Sequence, residues 1–188
     1  MNPLILITGP TGVGKSSVIE VLCDSGTFKY ISPYTTRPLR AGEQDKISIS
    51  EEEYTSLLKN GELLLTNSLY GFQYGTPRSE LFESLEKGPL PIVDWPIKSV
   101  QMIKDVVHPT RTVVYYLFPP DSKTLRARLR KRDGELLSSQ RISASLSEVA
   151  AFNAGRFDDK IDAAIECDGL PDQVALAIKM QLQKDGVL

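Results

Sequence analysis

Histidine is nearly absent: the 188 residues contain one, His108, immediately before Pro109. An imidazole in that setting reads as a surface or capping group at a helix end, so the chain offers no footing for a His-based triad or zinc hydrolysis. Cysteine is scarce as well. Cys23 and Cys167 stand far apart without metal-ligand spacing, and read as reduced thiols of a cytoplasmic protein. Neither sign of charge dominates, since 22 Lys and Arg against 24 Asp and Glu leave a net −2. No global positive field therefore draws nucleic acid or anionic lipid to the surface. No apolar run approaches the ~18 residues of a membrane span, and Leu4–Ile7 is too short for a signal peptide. Repeats, low-complexity tracts and linkers are missing too. What is left, at 41% hydrophobic residues, is enough core for one compact domain. Oligomeric state is not written in such a composition.

One segment breaks this plainness. Gly9-Pro10-Thr11-Gly12-Val13-Gly14-Lys15-Ser16 is a complete G-x-x-x-x-G-K-S phosphate-binding loop. The apolar run Leu4–Ile7 before it reads as a buried parallel strand, and Ser17–Leu22 after it as a helix. Strand, turn and helix together aim the main-chain N–H groups from Gly9 through Thr11, Gly12, Val13 and Gly14 to Ser17 at one anion. The glycines permit backbone angles and close approaches that a side chain would block. Lys15 can reach the β- and γ-phosphates and the Ser16 hydroxyl can ligate Mg²⁺, so ATP and Mg²⁺ are the expected cofactors.

Further strands are expected at Leu90–Asp94, Thr112–Leu117 and Ala163–Cys167, beside Leu4–Thr8. Helices are expected at Arg78–Lys87, Ile97–Val107 and Asp121–Lys131, with a last one opened by Pro171 and running to about Gln183. This alternation predicts an α/β fold: a parallel β-sheet core flanked by helices. Residues 33–77 interrupt the rhythm and read as an inserted, partly β subdomain. It carries one helix near Glu51–Asn60, capped by Ser50 and Glu53 and stopped by Gly61. Residues 126–141, rich in cationic and polar side chains, form a second insertion candidate. The core is then 1–32, 78–125 and 142–188. Ligands of parallel sheets bind beyond the strand C-termini, where both insertions would close over a phosphate donor.

In Thr35-Thr36-Arg37-Pro38-Leu39-Arg40-Ala41-Gly42-Glu43 two guanidinium forks are spaced so that they could converge on one phosphate. A solvated basic turn accounts for the same spacing. Tyr70-Gly71-Phe72-Gln73-Tyr74-Gly75-Thr76-Pro77 adds a phenol and a hydroxyl beside glycines and, by itself, reads as a structural turn.

From Leu4 to about Leu170 these pieces resemble, in order, the motifs of guanylate kinases. Phe118-Pro119-Pro120-Asp121 and Leu125-Arg126-Ala127-Arg128-Leu129 extend the resemblance. It implies a P-loop NTPase fold of the nucleoside monophosphate kinase type, with an acceptor-binding insertion and a helical lid. It also implies roles. Arg37, Arg40 and Tyr74 hold the acceptor's phosphate, with Glu43, Thr76 and Asp94 on the acceptor side. Lys15 and Ser16 serve ATP and Mg²⁺, Asp94 reaching the metal through water. Arg128, Arg132 and Arg141 close on the transferring phosphoryl group. That division suits phosphoryl transfer, which needs positioning and charge stabilisation more than covalent chemistry.

The chain departs from the family where the base is read. Leu65 aligns with a glutamate and Pro33 with a serine. The stretch Gln44-Asp45-Lys46 is shortened around a family tyrosine, and the acid-x-acid strand end reads Ile92-Val93-Asp94. Cys167 aligns with an asparagine near the donor nucleotide. The expected reaction is phosphoryl transfer from ATP to a nucleoside monophosphate, GMP being the family's acceptor. Two alternatives stand beside it: a kinase for another phosphorylated acceptor, such as a different (deoxy)nucleoside monophosphate or a ribose bisphosphate, and a non-catalytic guanylate-kinase-like interaction module.

Overall fold

A computed structural model describes residues 1–40 and 42–188; Ala41, in the arginine segment, and the side chains of 134–138, in the expected lid, lie outside the described residues. In chain order the elements are β1 (Leu4–Thr8), α1 (Lys15–Cys23), β2 (Phe28–Tyr30), β3 (Tyr34–Thr35), β4 (Ile47–Ser48), α2 (Glu51–Lys59), β5 (Leu63–Leu69) and β6 (Phe72–Pro77). There follow α3 (Arg78–Glu86), β7 (Leu90–Asp94), α4 (Val100–Val107), β8 (Thr112–Phe118), α5 (Ser122–Asn153), β9 (Ala163–Glu166) and α6 (Pro171–Lys184). A single 3₁₀ turn, Ile97–Ser99, leads into α4, so the helix expected to begin at Ile97 starts three residues later.

β1 is buried along its whole length, because helices cover both sides of the sheet it centres. The strand order is β2-β7-β1-β8-β9, all parallel. Alternation along β1 divides the core: Ile5 and Ile7 pack with Val18 and Leu22 of α1 and Ile178 and Leu182 of α6. Leu4 and Leu6 pack on the opposite side with Leu81 and Leu85 of α3 and Ile103 and Val107 of α4. The four expected core strands are in place. The fifth, β2, is only 3 residues long and lies outside the expected set.

The insertion folds into its own four-stranded sheet, ordered β4-β3-β6-β5. β5 and β6 form a hairpin whose turn, Tyr70-Gly71, has φ of 54° and 82°. Two positive φ values in a two-residue loop define the type I′ turn, whose twist matches that of its strands. The segment read as a turn is thus the turn and second strand of a hairpin. α2 is capped as expected, Ser50 Oγ accepting from the Glu53 N–H at 3.1 Å.

α5 runs well past its expected end at Lys131, for 32 residues in all. Leu125 and Leu129 of its first part share an apolar cluster with Ile142 of its second, joined by Leu146 and Val149. A straight helix would hold residues 129 and 142 about 20 Å apart. The segment therefore folds back so that its two halves pack together over the phosphate loop. Among the described residues, no helix is long and apolar enough to cross a membrane.

Candidate active site

The phosphate loop leaves β1 against β8. A Cβ on Gly9 would lie 2.2 Å from the Leu117 carbonyl oxygen, so only glycine lets the chain turn there. Gly12 is likewise covered by Leu129 of the folded-back helix, 2.7 Å from where its Cβ would stand. The Val13 side chain is buried in the core, which leaves this residue its backbone to offer. Thr11 contributes its carbonyl as acceptor for Ser145 Oγ at 3.1 Å. Gly14, Ser16 and Ser17 are exposed at the start of α1. Lys15 Nζ donates to the Gly9 and Pro10 carbonyls at 2.7 and 3.2 Å, bridging the loop's mouth. Loss of hydration lowers its pKa, opposed by the charges of Asp94 and Glu148.

Arg37 anchors the opposite side of the site. It is only 6% exposed. Its Nη2 donates to both Glu43 carboxylate oxygens at 2.6 and 2.7 Å, its Nη1 to the Pro38 carbonyl at 2.7 Å, and its Nε to Tyr74 Oη at 3.3 Å. Glu43 also accepts from the Arg40 N–H at 2.9 Å and lies 3.5 Å from Arg40 Nη1. Burial pushes the Glu43 pKa up, but Arg37 and Arg40 outweigh it and hold the carboxyl below its ordinary range. Glu43, expected on the acceptor side, is paired with both arginines.

Directly opposed residues of an antiparallel pair share a face, so the pairs Leu65–Thr76 and Asn67–Tyr74 place four side chains on one side of the β5–β6 hairpin. Toward its Leu65–Thr76 end this face is dry. Leu65 is fully buried, and the buried Thr76 hydroxyl accepts from Trp95 Nε1 at 3.0 Å. Thr76, expected as an acceptor contact, holds Trp95 through one lone pair of its hydroxyl. Asn67, beside Tyr74, keeps a buried Nδ2 with no protein partner.

The lid arginines divide. Arg132 and Arg141 meet at the Asp133 carboxylate, at 2.7 and 2.9 Å, with Arg40 at 4.0 Å. Burial would raise the Asp133 pKa; the two lid guanidinium groups override it and bring it down to about 2. Arg128 does not join them. Its Nη1 donates to the Val13 carbonyl at 2.8 Å and its Nη2 to the Cys167 carbonyl at 3.2 Å, so it braces the loop from behind instead of facing the cleft.

The chain has counterparts among known proteins. The guanylate kinase family model matches residues 1–175. The chain belongs to the guanylate kinase family. It is 33% identical over 159 residues to a guanylate kinase of Prochlorococcus marinus, covering 81% of this chain and 85% of that protein. A Streptococcus agalactiae guanylate kinase is 33% identical over 181 residues, covering 93% and 81% of the two chains. The crystal structure of guanylate kinase from Anaplasma phagocytophilum shares the fold, with a TM-score of 0.70 at 21% identity over 98% of this chain and 86% of that one.

Around Ser16, Asp94 and Lys15 the structure gathers Asp45, Lys46, Tyr30 and Glu148, which sequence reasoning did not single out as functional. Asp45 Oδ2 accepts from Ser16 Oγ at 2.8 Å and from Lys46 Nζ at 2.9 Å. Asp94, at the end of β7, accepts from the Tyr30 hydroxyl, whose pKa rises through burial and that carboxylate. Glu148 accepts from the Tyr116 hydroxyl at 3.3 Å, and its pKa is raised by burial against the pull of Lys15. Asp45-Lys46 were visible only as a shortened stretch, and Tyr30 and Glu148 are distant in sequence from the loop they approach. Among the described residues, no group of three or more His, Cys, Asp or Glu could hold a metal. The exposed Ser16 hydroxyl is a hard oxygen donor of the kind that suits Mg²⁺, a cation that keeps waters and nucleotide phosphates as ligands and asks one or two oxygens of the protein.

Proposed function

We propose that this chain transfers the terminal phosphoryl group of ATP to a nucleoside monophosphate, with GMP, named by its relatives, as acceptor. The observation supporting this reading is that the phosphate loop's Ser16 reaches the insertion that carries the Arg37–Tyr74 pair, donating to Asp45. Residues 33–77 then act as the acceptor-binding subdomain and 126–141 as the lid. Bound Mg²⁺, ligated by Ser16 with Asp94 reaching it through water, would neutralise charge on the donor phosphates.

This chain's residues do the rest. Lys15 exchanges the carbonyls of Gly9 and Pro10 for β- and γ-phosphate oxygens, a charge-assisted pairing that outweighs two neutral acceptors. Arg37 and Arg40, both tied to Glu43, present their remaining N–H groups to the acceptor phosphate beside the Tyr74 hydroxyl. Arg132 and Arg141 leave Asp133 for the phosphoryl group in flight, where charge is spread over its equatorial oxygens. Arg128 keeps the loop in shape while the lid closes and excludes water. On the base side Asn67 and Asp94 supply the polar groups that Leu65 does not. The reaction belongs in the cytoplasm, where ATP and nucleoside monophosphates are found.

The test is ADP release from Mg-ATP across a panel of nucleoside monophosphates and ribose bisphosphate. Highest kcat/KM with GMP supports the reading. A faster acceptor elsewhere in the panel reassigns the substrate, and silence with every acceptor leaves an interaction module.

A further inference from the structure

Among the described residues, one side-chain hydrogen bond joins the insertion to the helix that follows the phosphate loop. Asp45 lies between Ser16 and Lys46, accepting from Oγ at 2.8 Å and Nζ at 2.9 Å. A serine hydroxyl has a single proton and lone pairs that point elsewhere. Committing the proton to Asp45 fixes the rotamer and turns the lone pairs away from that carboxylate, toward the cleft. A ligating oxygen whose own proton is held is both better oriented and more electron-rich. Among the described residues no core side chain does this for Ser16: β7 offers one carboxylate, Asp94, which the Tyr30 hydroxyl occupies, and Ile92 two residues earlier is fully buried. Lys46 neutralises Asp45, its side chain 13% exposed against 22%, so the carboxylate stands beside a triphosphate site without repelling the triphosphate.

We propose that Asp45 is a positioning residue for the donor's divalent cation, holding Ser16 in its metal-ligating orientation from the acceptor-binding insertion. The inference rests on the reading of Ser16 as a ligand of nucleotide-bound Mg²⁺. It places the second sphere of the donor metal on the same short segment as Glu43, which sets the acceptor arginines.

The test measures binding, not turnover. The affinity of the full-length protein for a fluorescent ATP analogue is measured with Mg²⁺ and with EDTA, and the ratio gives the metal's contribution. Asp45→Ala should reduce that ratio about 10- to 100-fold, leave the EDTA affinity unchanged, and change nothing further in a Ser16→Ala background. Asp45→Asn, which keeps the shape, should give an intermediate ratio and guards against a folding artefact. A wild-type ratio in Asp45→Ala overturns the proposal, as does an equal loss with and without Ser16. Absence of analogue binding to the wild type would sink the nucleotide reading itself, an outcome distinct from either of these.

Discussion

At the phosphate loop, the groups that would meet an anion are main-chain N–H groups and one lysine, placed by a turn pressed against β8. In the acceptor clamp they are side chains, and each cation already holds an anion: Arg37 and Arg40 grip Glu43, and Arg132 and Arg141 grip Asp133. The donor half is thus shaped by backbone and the acceptor half by ion pairs. A backbone site tolerates no change of shape, whereas a paired site tolerates substitution of both partners better than of one. The pairs also offset the mutual repulsion of cations gathered so closely.

Removing Lys15 should have the largest effect. Lys15→Ala is expected to lower kcat/KM by about 10³-fold, some 4 kcal/mol, with little loss of thermal stability because its present partners are loop carbonyls. Next come two glycine substitutions that contrast the halves. Gly9→Ala meets the Leu117 carbonyl at 2.2 Å and should cost about 3 kcal/mol in denaturant unfolding. Gly75→Ala, in the insertion, meets only the movable end of Leu63 at 2.7 Å and should cost about 1 kcal/mol.

Arg37→Met should destabilise the fold by about 2–3 kcal/mol, since it strands Glu43, and the double variant with Glu43→Leu should recover most of that while remaining inactive. Recovery of stability without activity is the signature of a clamp built from paired charges. Smallest is an acid effect at the lid. The Asp133 pKa is lowered to about 2 from an unfolded value near ~3.9, so its contribution is present above the unfolded value and lost as pH falls toward the folded one. Wild type and Asp133→Asn should differ in stability by a constant amount above about pH 5 and converge between about pH 4 and 2.

The same contrast governs what the sequence disclosed. The loop was legible because strand, glycine turn and helix are contiguous, and backbone geometry follows from local residues. Arg37 and Arg40 were visible as a spacing, but Glu43 as their aligner was not, since the side it faces depends on the turn between them. β6 was missed because Tyr70-Gly71 is a hairpin turn without the usual Asn or Asp, the positive φ of Tyr70 being imposed by the strands it joins. The extent of α5 was hidden because the apolar contacts that hold its two halves together, Leu125 and Leu129 with Ile142, join residues far apart in sequence. Leu65 stood out as a departure from the family. Only the structure shows it packed in the core beside Trp95 rather than lining the site.

The central claim is that the two phosphate sites face each other closely enough for direct transfer. A single molecule carrying adenosine and guanosine joined through five phosphates tests it by isothermal titration with Mg²⁺ present. If both sites are engaged at once, its affinity should exceed that of ATP or GMP by about 10²-fold or more, and Lys15→Ala and Arg37→Met should each abolish the gain. Affinity no better than that of ATP, or a gain insensitive to Arg37, would contradict the account.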